Sequence, residues 1–290
     1  MINNTDINYE QLYMQKCTEI EELYKKLEDL KLKNNLLCEE NKTQKLKITN
    51  SNTAKNGYKE EHFVCNDLNN NTQLKDTLKI FIPYNLNNCK QLKGNNKVDI
   101  QSNDGKFKAQ VKKYKAKQFQ QLDRHWIDTI IINIPELNDI KNILKNLCEI
   151  PLMENNKEID KNKNRIVLSN NNYSVDELNK FLIVLNNNKT KILEFIFYGK
   201  NKDCFPEYLI GVEYIDNKRS NLIFFKIKDI ISYLNKLKFE IKKNKTVISL
   251  GNVITIQRKG GDGGKKSSNQ LQFKIIISLL DIKEQIKYKL

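Results

Sequence analysis

Residues 97–114 read KVDIQSNDGKFKAQVKKY. The Asp104-Gly105 pair inside it is a two-residue hairpin signal, because the tight turns that join antiparallel strands need positive φ, which Gly and Asp tolerate. With that turn, Asn103 pairs with Lys106, and counting outward sets Asp99 opposite Gln110. Side chains alternate faces along a strand, so Lys112 shares the face of Gln110, while Val98, Ile100 and Val111 turn toward an apolar layer. One face of the hairpin thus gathers a carboxylate, a carboxamide and an ammonium within cross-strand reach. Lys97, Lys106, Lys108, Lys112, Lys113, Lys115 and Lys117 are expected to form a basic collar around Asp99 and Asp104. Such a collar suits a metal-assisted phosphodiesterase, in which lysines hold phosphate oxygens and the acid holds a divalent cation.

Upstream, Tyr58 to Asn70 has helical periodicity. Glu61, Val64, Cys65 and Leu68 share a face, and Glu60 falls away from it. A carboxylate pointing with apolar residues is costly unless it has a partner, which singles out Glu61. Residues 47–57, KITNSNTAKNG, contain few apolar side chains and end in Gly, the composition of a linker. Before them, residues 8–47 carry eight Lys and eight acidic residues. Tyr13, Ile20, Leu27, Asn34 and Asn41 at heptad position a put Leu23, Leu30 and Leu37 at d, a short zipper-like pattern with Lys16 also at d. The expected organisation is an N-terminal helix over 1–47 forming a coiled coil, a linker over 48–57, a catalytic core over 58–152 and a C-terminal part over 153–290.

Downstream of the hairpin, Phe119, Leu122, Trp126 and Ile130 recur at helical spacing, and a helix is expected from about Lys117. A second helical stretch follows Pro135 to about Cys148, and residues 153–164 read as a loop. Ser174-Val-Asp-Glu177 is a capping box that opens a helix through about Leu185. Gly199 stops another, YLIGVEYI (208–215) and NLIFFKI (221–227) read as strands, and a helix runs from about Lys228 to Leu237. TVISLGNVITIQRK (246–259) is a strand pair broken at Gly251-Asn252.

The charge balance narrows the partners. Fifty Lys and Arg against 35 Asp and Glu give a net charge of +15, with the excess after residue 47. Such a chain favours a polyanion. The 41 Asn and 46 Lys against four Arg also look like an A+T-rich coding sequence, so composition alone does not decide for nucleic acid. No run of 18 apolar residues is present, and the N-terminus lacks a signal-peptide pattern, so a cytoplasmic protein without membrane contact is expected. Six cysteines without C-x-x-C spacing read as free thiols, and two histidines are too few for a His-based zinc site.

A second basic segment spans residues 256–274. Arg258, Lys259, Lys265, Lys266 and Lys274 stand against Asp262, and Gly260, Gly261, Gly263 and Gly264 let backbone N–H groups approach a phosphate. Asn269, Gln270 and Gln272 can bond adenine bidentately, and Arg258 can bond guanine. The run does not match a nucleotide-binding P-loop.

With these residues in view, VDI followed by a hairpin and QVKKY resembles the core of the PD-(D/E)xK nuclease superfamily. Asp99 stands for its Asp, Gln110-Val111-Lys112 for its (E/Q)-x-K and Glu61 for its upstream helix acid. QFQQLDRHW (118–126), ITIQRKGGDGG and NQLQFKI (269–275) are similar to type II restriction endonucleases of that superfamily. The likeness covers roughly residues 57–275. It departs from the pattern where Val98 replaces the Pro and Gln110 the second acid. The resemblance implies an α/β fold, a mixed sheet flanked by helices with a restriction-endonuclease-like core, and a homodimer cutting double-stranded DNA with one site per subunit. A cognate DNA methyltransferase belongs with such an enzyme. Asp99, Gln110 and Glu61 would ligate Mg²⁺, and Lys112 would orient water and stabilise the transition state. Lys113, Lys115, Gln118, Gln121 and Arg124, with Arg258, Lys259, Lys265, Asn269, Gln270 and Gln272, are the expected DNA contacts. A junction resolvase, a non-catalytic nucleic-acid-binding protein on a decayed nuclease fold and a coiled-coil adaptor are the competing readings.

Overall fold

The computed structural model describes residues 9–92, 97–148, 167–200, 204–243, 246–258 and 270–290. The chain divides into two compact units, Met1–Ala54 and Lys55–Leu290. The first is helical. Helix α1 is continuous over Tyr9–Asn70, so residues 48–57 are helix and not the expected linker. The run contains no Pro, and the single Gly57 costs a helix only about 1 kcal/mol, too little to end it.

In the second unit α1 is followed by α2 (Thr72–Leu78), β1 (Lys90–Gln91), β2 (Ile100–Gln101), β3 (Lys108–Lys115), β4 (Gln120–Trp126), α3 (Ile127–Asn133) and α4 (Lys141–Cys148). Then come α5 (Val175–Asn187), α6 (Lys189–Tyr198), β5 (Tyr208–Ile215), β6 (Lys218–Lys226) and α7 (Ile227–Asn235). The strands β7 (Phe239–Ile241), β8 (Val247–Leu250), β9 (Ile254–Arg258), β10 (Gln270–Ile275) and β11 (Gln285–Lys289) complete it. Local signals account for several boundaries. Ser174 and Glu177 form the full capping box at the start of α5. Gly199 closes α6 at φ 81°, and Asp216 and Asn217 turn β5 into β6 with φ of 49° and 63°.

Two sheets result. The first has strand order β1-β2-β3-β5-β6-β11 and is mixed, because β3 and β5 run parallel while its other pairs are antiparallel. The second, β4-β10-β9-β8-β7, is antiparallel throughout. Alternate residues of the first sheet enter different cores. Ala109, Val111, Ile210 and Phe224 pack with Val64, Leu68 and Leu74 from α1 and α2. Tyr114, Leu209 and Phe225 pack with α3 to α7 and the second sheet. The fold is therefore mixed α/β, a mixed sheet flanked by helices.

Two expectations need correction. Gln120–Trp126 is strand, not helix, because it pairs with β10 as the edge of the second sheet; the 3.6-residue recurrence of Phe119, Leu122 and Trp126 is coincidental, and Phe119 and Trp126 are largely exposed. Glu60 does not face solvent. It is buried, accepting bonds from Arg219 Nε and the Tyr214 hydroxyl, each at 2.8 Å. The Arg219 guanidinium also covers the Phe63 ring at 4.0 Å, so this cluster fastens the end of α1 to β5 and β6.

Gly211 lies opposite Lys112 in the parallel pairing of β3 and β5. A Cβ there would stand 2.7 Å from Tyr114 Cε1, inside van der Waals contact. Gly211→Ala should therefore lower stability by roughly 1–3 kcal/mol, the usual cost of overpacking, in urea unfolding followed by circular dichroism. An unchanged midpoint would show that Tyr114 has room to move aside.

Candidate active site

The hairpin folds in the register expected of it. Ile100 pairs with Ala109 and Gln101 with Lys108, and the Asp99 amide donates to the Ala109 carbonyl at 2.9 Å, leaving Asp99 opposite Gln110. Asp99 Oδ2 accepts the Val111 N–H at 2.8 Å, which pins the carboxylate against β3. Asp99, Gln110 and Lys112 line one cleft of about 590 Å³, together with Lys97, Gln121, Asp123, Arg124, His125 and Tyr198.

The electrostatics of this group favour a cation. Burial pushes the Asp99 carboxyl above the usual carboxylate range, against the opposing pull of Lys112, the Val111 N–H and Lys97. Glu61 is raised as well, chiefly by burial; Gln91 and Lys112 oppose the shift and the charge of Asp99 adds to it. Gln91 Nε2 donates to Glu61 Oε2 at 2.7 Å, which holds Glu61 beside β1 at the rim of the group, outside the cleft lining. Gln110 is 3% exposed and its Oε1 is buried without a hydrogen-bond partner among the described residues. An orphaned buried acceptor costs about 1–3 kcal/mol. Two carboxylates made uncomfortable as anions and one amide oxygen with nothing to bond form a donor set that fits a hard, oxygen-seeking ion. Among the described residues no cluster of three His, Cys, Asp or Glu could hold a metal, consistent with Gln110 standing where a third acid would complete such a set.

Three cleft residues escaped the sequence reading in these roles. Lys97 Nζ lies 2.7 Å from Asp123 Oδ2 and donates to the carbonyls of Ile196 at 2.7 Å and Leu122 at 3.2 Å. Its three protons are committed inside the protein, so it is a clamp between β4 and α6 and not a collar lysine. His125 Nε2 lies 2.5 Å from the same Asp123 oxygen, and its ring packs on Phe195 at 4.5 Å. Burial pushes Asp123 up, but the His125 bond and the Lys97 charge outweigh it and hold the carboxyl below its ordinary value. Burial lowers Lys97 in turn, against the pull of Asp123. Recognising β4 as a strand would have revealed the pair, since Asp123 and His125 then share a face by period two.

The expected DNA contacts separate. Gln121 and Arg124 are exposed at the cleft, and Gln272 Nε2 donates to Gln121 Oε1 at 2.8 Å across the β4–β10 pair. Gln270 stands opposite Trp126 at the start of β10, half-buried. Gln118 is exposed in the turn before β4, outside the cleft lining. Lys113 and Lys115 do not join the cleft, because strand alternation carries them to the other face of β3. There Lys113 Nζ sits 3.8 Å over the Tyr214 ring and Lys115 Nζ donates to Asn217 Oδ1 at 2.8 Å. Arg258 is not an exposed loop residue: it ends β9 opposite Leu271 and is only 7% exposed. Lys259, Lys265 and Asn269, with the glycine-rich run and the expected loop at 153–164, lie outside the described residues.

The family model for the R.HinP1I restriction endonuclease matches residues 86–280, a span that contains both sheets from β1 to β10 and every residue of the cleft. The crystal structure of restriction endonuclease MspI in complex with its cognate DNA is similar at 12% identity and a TM-score of 0.41, over 70% of this chain and 77% of that one. No curated protein sequence matches the chain. The chain belongs to the R.HinP1I restriction endonuclease family and is a type II site-specific deoxyribonuclease.

Proposed function

We propose that the enzyme hydrolyses phosphodiester bonds of double-stranded DNA with Mg²⁺, using Asp99, Gln110, Glu61 and Lys112. The observation that carries this reading is the buried, unbonded Gln110 Oε1 opposite Asp99, in a cleft that also presents Lys112. Asp99 and Gln110 would hold the ion, with Glu61 supplying the negative charge that Gln110 lacks. When bound, Mg²⁺ supplies Lewis acidity toward a phosphate oxygen and makes water more acidic. Lys112 donates to a nonbridging phosphate oxygen and stabilises the charge that grows there as the attacking oxygen closes. The Val111 N–H keeps one Asp99 oxygen occupied, so the other is the one offered to the cleft.

Gln121, Arg124 and Gln272 are suited to read base edges at the mouth of the same cleft, since paired amides and a guanidinium make bidentate contacts. Lys259 and Lys265 would contact DNA phosphates, and Asn269 and Gln270 would contact bases. Arg258, buried at the end of β9 opposite Leu271, would act on that strand's position and not as a direct base contact. Two copies join through the N-terminal helix, and a methyltransferase of the same specificity keeps the cell's own sites from being cut.

The test is a mixed-sequence plasmid incubated with the protein, with and without Mg²⁺. Discrete bands that vanish with chelator support the reading; binding without cutting defeats it. Asp99→Asn and Lys112→Ala should each lower cleavage by about 100-fold or more while the DNA complex persists in a gel shift. Gln110→Glu should move the Mg²⁺ requirement to lower concentration, because it adds charge at a cation site. If Asp99→Asn cut at the wild-type rate, the hairpin would not be the catalytic centre.

Asp123→Asn should destabilise the fold by about 3 kcal/mol, because it leaves buried Lys97 without its anion. The Asp123 carboxyl is depressed when folded, so its contribution is full above the ordinary aspartate value near pH 4 and fades as pH falls through the lower folded value. The stability gap between the two proteins should therefore be constant well above the ordinary aspartate value and close as pH falls below it in urea titrations. A gap that stayed open in acid would place the effect in packing and not in charge.

A further inference from the structure

Helix α1 in the N-terminal unit holds an apolar stripe in solvent. Ile20, Leu23, Leu27 and Leu30 are 51, 63, 47 and 63% exposed. Their steps of three and four are those of a two-stranded seam, with Lys16 and Asn34 as the polar members of the same a/d series. The proposed dimer joins two copies through this seam, and the direction of their pairing rests on that reading. Direction is set by where the polar residues fall.

In a parallel, in-register pair every seam residue meets itself. Lys16 would face the partner's Lys16, and two ammonium groups would share one desolvated layer. Asn34 would meet the partner's Asn34. Flanking the seam, Lys26 at g would approach the partner's Lys31 at e, twice over.

We infer that the two copies instead pair antiparallel, centred near Lys25, with Ile20 facing Leu30 of the partner subunit and Leu23 facing Leu27 of the partner subunit. This register also keeps the apolar seam residues against apolar ones. The same alignment places Lys16 against the partner's Asn34, whose amide oxygen accepts an ammonium proton, and it does so at both ends. Lys16 brings its own counter-charge to that layer, since its Nζ lies 2.7 Å from Glu19 Oε2 in the same helix. Tyr24 meets the partner's Tyr24 across the centre. The remaining like-charge contact is Lys26 with the partner's Lys26, once instead of the two Lys26–Lys31 approaches of the parallel form.

Disulfide trapping of the full chain tests this without any cleavage assay, so the nuclease reading and the pairing fail separately. In a background with Cys17→Ser and Cys38→Ser, two size-tagged proteins are made, one with Leu23→Cys and one with Leu27→Cys. Mixed and mildly oxidised, they should give the hetero-disulfide between the two tags, and each alone should give at least tenfold less dimer band. Self-disulfides from the separate proteins would mean parallel pairing and overturn the inference. A monomer in sedimentation at micromolar concentration, with no disulfide, would overturn it as well. Asn34→Glu provides a second measurement with the native cysteines in place. It should tighten the dimer several-fold at low salt by setting a carboxylate against Lys16 at each end; a weakened dimer would indicate carboxylates facing one another, the parallel outcome.

Discussion

The register of one hairpin governs the candidate active site. A slip by a single residue would send Gln110 and Lys112 into the apolar layer and bring Val111 into the cleft. The turn prevents it with a dense set of bonds. The Ser102 hydroxyl donates to Asp104 Oδ1 at 2.5 Å and accepts the Phe107 N–H at 2.9 Å, and the Lys106 N–H reaches Asp104 Oδ1 at 3.1 Å. Gly105 adopts φ 72°, where another residue would be strained. Asp104, expected among the charges around the site, is thus a turn residue, and those bonds hold its carboxyl below the usual range. On the far side, parallel pairing with β5 fixes β3 in the sheet from Ala109 to Lys115. Asp99 is held opposite Gln110 from both directions before any ligand arrives.

Local determinants were the legible ones. The hairpin pairing, the capping box at Ser174, the stop at Gly199 and the strands at 208–215 and 221–227 each depend on a few neighbouring residues, and each appears where its residues indicate. What failed was non-local. Gln120–Trp126 carries a period that fits a helix, and its strand character comes from β10, some 150 residues away along the chain. With that strand missed, the Asp123–His125 pair and the inward commitment of Lys97 were invisible. The burial of Glu60 was missed for a similar reason. Periodicity put Glu61 near the site, but it could not see that Arg219 and Tyr214 would arrive to make a buried position tolerable for Glu60. The run 47–57 looked like a linker by composition, yet without a proline nothing in it forbids the helix that it forms.

Lysine number is a poor guide to the local field. Of the seven lysines placed around the hairpin, Lys112 faces the cleft with Asp99, whereas Lys97 is neutralised by Asp123, Lys113 rests on Tyr214 and Lys115 bonds Asn217. The cleft face of the hairpin therefore sets Asp99 against Lys112, with the Asp99 carboxyl raised by burial against the pull of its neighbours. A face that keeps one amide oxygen unbonded calls for a small cation more than for another phosphate-binding group.

Strand β4 of the second sheet and the Asp99 hairpin of the first are linked through Lys97. Strand β4 presents Arg124 and Gln121 outward to the cleft mouth and Asp123 and His125 toward its floor. Asp123 and the Leu122 carbonyl are bonded to Lys97, which stands two residues before Asp99 in the chain. A shift of β4 is therefore passed to the residues before Asp99 through short, charge-assisted bonds. Tolerances at a reacting phosphate are tight, and misplacement by about 1 Å can cost two orders of magnitude in rate. Gly199 lets this clamp form: a Cβ there would stand 2.9 Å from Lys97 Cγ, so the residue that ends α6 also clears the path of the lysine that ties β4 to the Asp99 hairpin.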